Sequence, residues 1–253
     1  DVLFAGRESL CANAMNLMPC STGVLKKSLM LTASGVVAVD LQTATVQGKF
    51  SVNGAAVPAA YATSTFITFQ TPDKELTSVS PTAASGYRIV LLKGSYAIGV
   101  AGQTGCDLAN PVPCVGGPVI PSMSFQSDGV VDLNVKTVKV TGKVTVNGQP
   151  IAAANRGLGY LRFRLASGAV AGTPDLGNYQ LTLLAGTYDV LYSATGNDCT
   201  AGVPCIGGLI NKAVSIQSDG VIDIDLPAIT VQGTVLINGQ AVVEGNEKGT
   251  VVF

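Results

Sequence analysis

Few side chains in this sequence are equipped for chemistry. Six cysteines fall into three close pairs, Cys11/Cys20, Cys106/Cys114 and Cys199/Cys205, and the 253-residue chain has no histidine. None of the pairs has CxxC spacing, and without His the mixed Cys/His zinc sites are excluded. The missing His also removes the usual general base of catalytic dyads and triads. A cysteine with a partner a few residues away is a poor candidate for a free thiolate nucleophile. The expectation is three local disulfides formed in an oxidising compartment.

Carboxylates are the other candidates. Asp223 and Asp225 lie two apart, with Asp132 and Asn134 at the corresponding earlier places. A carboxylate pair could support glycosidase chemistry, but the alternation around these residues puts them on the solvent face of a strand. With Asp128 and Asp219 they could instead offer oxygens to calcium. Against that, the first such stretch, Thr32-Ala-Ser-Gly-Val-Val-Ala-Val-Asp40, lacks the turn aspartate, and Asp-Gly is a routine turn pair. No phosphate-cradling Gly-rich loop precedes a helix. The expectation is a non-enzymatic chain with no catalytic, cofactor or metal site.

The elements that carry these residues must be strands. Hydrophobic residues make up 47% of the chain, but aromatics only 6% and charged residues 12%. The apolar content is therefore largely Val, Ala, Leu and Ile, punctuated by 30 Gly and 12 Pro, which favours many short strands joined by turns. A net charge of −1 offers no electrostatic ground for a nucleic-acid or anionic-membrane partner. No apolar run is long enough to span a membrane as a helix. Residues 1–20 lack the features of a signal peptide, and a start at Asp1 is expected of a mature or excised segment.

Internal repetition organises the rest. Asn53-Gly54, Asn147-Gly148 and Asn238-Gly239 stand in near-identical surroundings, 94 and 91 residues apart. The second cysteines, Cys20, Cys114 and Cys205, keep the same spacings, as do Gly35, Gly129 and Gly220. Laid over each other, the copies divide the chain into four. Residues 1–45 are the back part of one module, 46–139 and 140–230 are whole modules, and 231–253 is the front part of another. Together the outer parts lack the equivalent of residues 164–188. Either the chain is a piece of a longer array, or the front part of one copy completes the back part of the next, head to tail.

Within a module, period-two alternation marks half-exposed antiparallel strands. Leu161, Phe163 and Leu165 alternate with Arg162 and Arg164. Tyr179, Leu181 and Leu183 form an inward set, followed by Tyr188, Val190 and Tyr192 after the Ala185-Gly186 turn. Val214 and Ile216 precede a Ser218-Asp219-Gly220 turn, and Ile222, Ile224 and Leu226 then alternate with Asp223 and Asp225. Six or seven such strands suit a two-sheet sandwich. Asn-Gly fits a tight hairpin turn. The only helical candidate is around Leu10–Met18. Pro227-Ala228 alone joins Val221–Leu226 to the next strand, Ile229–Ile237, which predicts a stiff rod rather than tethered beads.

Val140-Thr-Gly-Lys-Val-Thr-Val-Asn-Gly148, followed by the hairpin Gly177-Asn-Tyr-Gln-Leu-Thr-Leu-Leu-Ala-Gly-Thr-Tyr188, resembles the carboxypeptidase regulatory-like modules. These have a transthyretin-like sandwich. More loosely, the pattern is similar to the B-type repeats of bacterial collagen adhesins. The resemblance implies an all-β tandem array of Ig-like or transthyretin-like sandwiches, serving as a non-catalytic stalk or accessory module on a secreted or surface protein. The cysteine loop and the Ser-Asp-Gly hairpin are additions to that pattern. Adhesin repeats often carry a Lys–Asn cross-link. Here Lys49 and Lys143 align but the third copy has Thr234, so no required cross-link is expected.

The expected partners are neighbouring modules of the same array, or further copies of the chain, and a surface ligand of unknown kind. The cysteine loops have varying contents (ANAMNLMP, DLANPVP and TAGVP). They are read either as staples against proteolysis or as contact surfaces.

Overall fold

A computed structural model describes residues 1–6, 18–30, 32, 34–82, 86–103, 106, 109–195, 202–231, 233–234 and 236–241. Nearly every regular element is a strand. Two short ones, β1 (Val2–Phe4) and β2 (Gly23–Lys26), pair antiparallel. A first sandwich follows with β3 (Thr43–Val52), β4 (Ala55–Ala56), β5 (Ile67–Gln70), β6 (Leu76–Val79), β7 (Gly86–Leu92), β8 (Gly94–Val100), β9 (Gly117–Phe125), β10 (Gly129–Val130) and β11 (Leu133–Val135). A second comprises β12 (Thr137–Val146), β13 (Gln149–Pro150), β14 (Gly159–Leu165), β15 (Val170–Gly172), β16 (Asn178–Leu184), β17 (Gly186–Ala194), β18 (Gly208–Ile216), β19 (Gly220–Val221) and β20 (Ile224–Leu226). A last hairpin joins β21 (Leu236–Ile237) to β22 (Gln240–Ala241). Short helical segments, Ala59–Ala62 and Ala153–Leu158, follow the first hairpin of each sandwich. No helix among the described residues is long and apolar enough to cross a membrane.

Each sandwich has one sheet built around its long first strand. β3 pairs with β7 on one side, with β10 and β11 on the other, and with β4 across the turn. The facing sheet has the order β6-β5-β8-β9. In the second sandwich β12 takes the place of β3, with β16, β19, β20 and β13 around it, facing β15-β14-β17-β18. Residues from both sheets fill one core per sandwich. In the first, Val46, Phe50, Ile89 and Leu91 meet Ile67, Phe69, Tyr96 and Ile98. In the second, Val140, Leu181 and Leu183 meet Leu161, Phe163, Tyr188 and Val190. Phe163 anchors the latter, its ring centroid 5.8 Å from Tyr179 and 6.4 Å from Tyr188. Each such side chain, fully buried, contributes about 1.5–3 kcal/mol.

The Asn-Gly turns take the conformation expected of them. Asn53, Asn147 and Asn238 have φ of 51°, 49° and 51°, and the glycines after them are also at positive φ. Positive φ at both central residues is the tight-turn geometry whose twist matches that of paired strands. Residues 10–17, most of the helical candidate, lie outside the described residues.

Three expectations are corrected. The Tyr179…Tyr188 segment is not a hairpin: β16 pairs with β12, whereas β17 pairs with β14 and β18. One residue, Ala185, separates them, too few for a hairpin loop, so the chain turns a corner from one sheet to the other. The Ser-Asp-Gly segment is likewise a crossover, because β18 belongs to one sheet and β19 to the opposite one. The closing strand is parallel, not antiparallel, to the first strand, and it is broken in two, β10/β11 and β19/β20.

Candidate functional site at the junction of the two sandwiches

Each closing strand is latched to its first strand by the same set of groups. Gly142 lies opposite Tyr179 in the β12–β16 ladder. The Tyr179 hydroxyl donates to the Ile222 carbonyl, and the Ile222 N–H donates to the Thr141 carbonyl at 2.8 Å. A Cβ at position 142 would collide with that Ile222 carbonyl, so glycine is required for the approach. In the first sandwich, Tyr87 donates to the Val131 carbonyl at 2.7 Å, beside Gly48, and the Val131 N–H reaches Gln47 at 2.8 Å. Burial first, and then the nearby Asp132 or Asp223, pushes both tyrosine hydroxyls well above the usual phenol range, so they remain neutral donors.

The aspartates complete the latch. Asp219 accepts the Lys139 N–H at 2.8 Å, Asp223 the Lys143 N–H at 3.0 Å, and Asp225 the Gly148 N–H at 2.8 Å. Asp128, Asp132 and Asn134 accept from Thr45, Lys49 and Gly54, each at 2.8 Å. At the break of the parallel ladder, and just beyond its two ends, side-chain oxygens thus take up backbone N–H groups that a strand partner would otherwise satisfy. The Gly148 N–H, with the Thr145 hydroxyl, holds the Asp225 carboxyl below the usual range.

A second set of contacts spans the two sandwiches. Asn53, in the β3–β4 turn, clasps the start of β12: its side chain donates to the Thr137 carbonyl at 3.1 Å and accepts the Thr137 N–H at 2.9 Å. Asn147 does the same to Ala228, donating to its carbonyl at 2.9 Å and accepting its N–H at 3.0 Å. Each Asn therefore holds the connection leaving its own sandwich. Ala185 N–H also donates to Lys136 O at 2.9 Å, as Lys93 N–H does to Gln42 O at 2.8 Å. Leu165 and Leu184 of the second sandwich pack against the first core.

The disulfide loop forms the other side of the junction. Cys106 is bonded to Cys114, with Cα atoms 4.8 Å apart. The Cys114 N–H donates to the Thr182 carbonyl at 2.6 Å, and the Thr182 N–H reaches Cys114 Sγ at 3.3 Å. The loop of the first sandwich thereby covers the free edge of β16 in the second, and Val115 enters the second core. Cys20 repeats this on the first sandwich, its N–H donating to the Val90 carbonyl of β7 at 2.8 Å while its side chain sits in the first core. Being covered outside as well as inside, Ile89–Leu92 and Leu181–Leu184 are buried at four consecutive positions. Alternation fails there because a neighbour replaces solvent.

Of the residues singled out in the sequence, Cys106 and Cys114 are joined, and Cys20 and Cys205 are disulfide-bonded as well. Cys11 and Cys199 lie outside the described residues. Asp128 and Asp132 lie beside β3, and Asp219, Asp223 and Asp225 beside β12 and its turn, each accepting a backbone N–H. Among the described residues no three His, Cys, Asp or Glu side chains gather to hold a metal. Lys143 Nζ lies 3.8 Å from Asp223 at a water-facing position. Sequence reasoning missed the side-chain role of Asn53 and Asn147, and the hydroxyls of Tyr87 and Tyr179. The signal was present in the recurrence of Asn rather than Asp before each Gly, since an amide can donate and accept across one peptide unit.

Neither the known protein families nor the curated proteins match this chain. Among solved structures it is similar to the Bacillus anthracis TIE protein, at 10% identity and a TM-score of 0.27, covering 73% of this chain and 34% of that one. The chain thus spans about a third of the length of that protein. It is also similar to a DUF3823 family protein from Parabacteroides merdae, with 12% identity, a TM-score of 0.29 and coverage of 70% and 100%. For the minor pilin of Streptococcus agalactiae the values are 7%, 0.31, 75% and 99%.

Proposed function

We propose that this chain is a non-catalytic structural protein of the cell surface or extracellular space, in which sandwich modules stack directly into a stiff stalk or filament. The observation that carries this reading is the junction. The hydrogen bonds of Cys20, Lys93 and Asn53 recur at Cys114, Ala185 and Asn147, so one way of joining neighbours is written twice. Disulfides at these places suit an oxidising compartment. The candidate carboxylates are spent on backbone N–H groups, which leaves them a structural task. Modules bounded near residues 46, 140 and 231 follow from the same spacing.

A second reading is an adhesin that presents its cysteine loops to a surface ligand. It is favoured by the constant frame and varying contents of the three loops. Small-angle X-ray scattering of the purified chain, together with a glycan and matrix-protein binding screen, separates the two. The structural reading expects a rod whose pair-distance distribution has one long tail and repeated maxima at the module spacing, with no saturable ligand. A compact or freely hinged particle would sink it, and saturable binding lost on exchanging loop contents would favour the adhesin.

A further inference from the structure

Asparagine precedes glycine in the β3–β4 and β12–β13 turns, although aspartate precedes glycine elsewhere in the same modules. Asp128-Gly129 and Asp219-Gly220 keep an acid where the side chain only accepts, from the N–H of Thr45 and of Lys139. Asn53 and Asn147 stand where the side chain must also donate, to the carbonyls of Thr137 and Ala228. That choice has a chemical consequence. Asparagine is a thermolabile residue, and a following glycine has no side chain to hinder attack by its own nitrogen, so Asn-Gly is especially prone to lose ammonia.

We infer that Asn53 and Asn147 are sites of spontaneous covalent modification, held back by the clasp, and that conversion turns a fixed joint into a hinge that cannot reclose. The consequence for the joint rests on the stacked-module reading; the chemistry does not. In the first step the Gly54 nitrogen gives up its proton to solvent and bonds to Asn53 Cγ. The Cγ–Nδ2 bond breaks, and the amide nitrogen leaves as ammonia. Water then opens the cyclic imide at either carbonyl, which leaves aspartate or isoaspartate at position 53. Water is the only other reactant.

Two sets of hydrogen bonds oppose the first step. Asn53 Nδ2 donates to the Thr137 hydroxyl at 2.9 Å and to its carbonyl at 3.1 Å, while Oδ1 accepts the Thr137 N–H at 2.9 Å. The attacking group is tied as well, since the Gly54 N–H donates to Asn134 Oδ1 at 2.8 Å. Ala228 and Asp225 hold Asn147 and Gly148 in the same way. The ring closes only when both sets are broken, so the rate follows how often the joint opens. After conversion the donor is gone. A carboxylate oxygen then faces the Thr137 carbonyl, two acceptors with no proton between them. Isoaspartate also adds an atom to the backbone of a turn whose form depends on φ of 51° at Asn53 and 80° at Gly54.

The full chain, incubated at mildly alkaline pH below its melting temperature, tests this by peptide-mapping mass spectrometry and by scattering of the aged sample. The same incubation in denaturant gives the unprotected rate. Asn53 and Asn147 should convert at least about tenfold more slowly in the folded chain. Asn134→Ala frees the Gly54 N–H and should speed conversion at Asn53 but not at Asn147. Asn134→Asp, which restores an acceptor like Asp225, should return the slow rate. Asn53→Asp, which installs one product directly, should broaden the pair-distance distribution as ageing does. Equal rates in the folded and denatured chain, or no acceleration at Asn53 in Asn134→Ala, would overturn the protection. An Asn53→Asp chain that keeps the fixed angle would overturn the hinge while leaving the stacked rod intact, whereas a compact unaltered chain would count against the rod alone.

Discussion

Thr182 and Val90 hold corresponding places in β16 and β7, their carbonyls bound by the N–H of Cys114 and Cys20, yet only one of them is apolar. The Thr182 hydroxyl is buried there with no hydrogen-bond partner among the described residues. An orphaned polar group costs about 1–3 kcal/mol, whereas an apolar one of similar shape does not. Thr182→Val should therefore stabilise the chain by roughly 0.5–1.5 kcal/mol, seen as a higher thermal midpoint in circular dichroism; an unchanged or lower midpoint would reveal a partner for the hydroxyl. At this scale the sequence was legible where a residue has a single task. The core set Leu161, Phe163, Tyr179, Leu181 and Tyr188 was visible in the alternation and is buried. Gly142 was visible within the Val140–Gly148 motif, but neither it nor Gly48 was visible as the gap through which a carbonyl meets a tyrosine. That meeting joins residues 44 and 43 apart in sequence, a distance over which local pattern carries no information.

The elements most easily misread were those beside a corner. β16 and β17 look like a hairpin because both alternate and a turn residue lies between them, but a single connecting residue sends them into opposite sheets. The cysteine loop is the element whose worth can be measured. Closing a loop of this length contributes about 2–3 kcal/mol by chain entropy, and the geometry adds a second role, since Cys114 covers the edge of β16. Replacing both cysteines, Cys106→Ser with Cys114→Ser, should lower stability by about that amount. It should also speed hydrogen exchange along Asn178–Leu184, with the Thr182 amide most affected. Lower stability with unchanged exchange in β16 would reduce the loop to a staple within its own sandwich.

For the molecule as a whole, the question is what holds neighbouring sandwiches at a set angle. Three kinds of contact do so: the amide clasp of Asn53 on Thr137, the packing of Leu165 and Leu184 against the first core, and the cover that Cys114 and Val115 give the second sandwich. Asn53→Ala removes the clasp and leaves the packing. It is expected to cost about 1–3 kcal/mol and to broaden the scattering pair-distance distribution as the sandwiches begin to bend. A distribution identical to that of the unaltered chain would assign the fixed angle to the side-chain packing and the cysteine loop, without the clasp.

The sequence by itself determined the all-β character, the spacing of equivalent positions, the Asn-Gly turns and the apolar face of each strand. These depend on backbone preference and on neighbours within a few residues, and they are written locally. Only the tertiary structure decided which strands share a sheet, that the closing strand runs parallel and broken, and that Asn53, Asp132 and Cys114 serve partners tens of residues away. Those outcomes follow from satisfying backbone groups at corners and edges, where the suitable donor or acceptor is whatever the folded chain brings near.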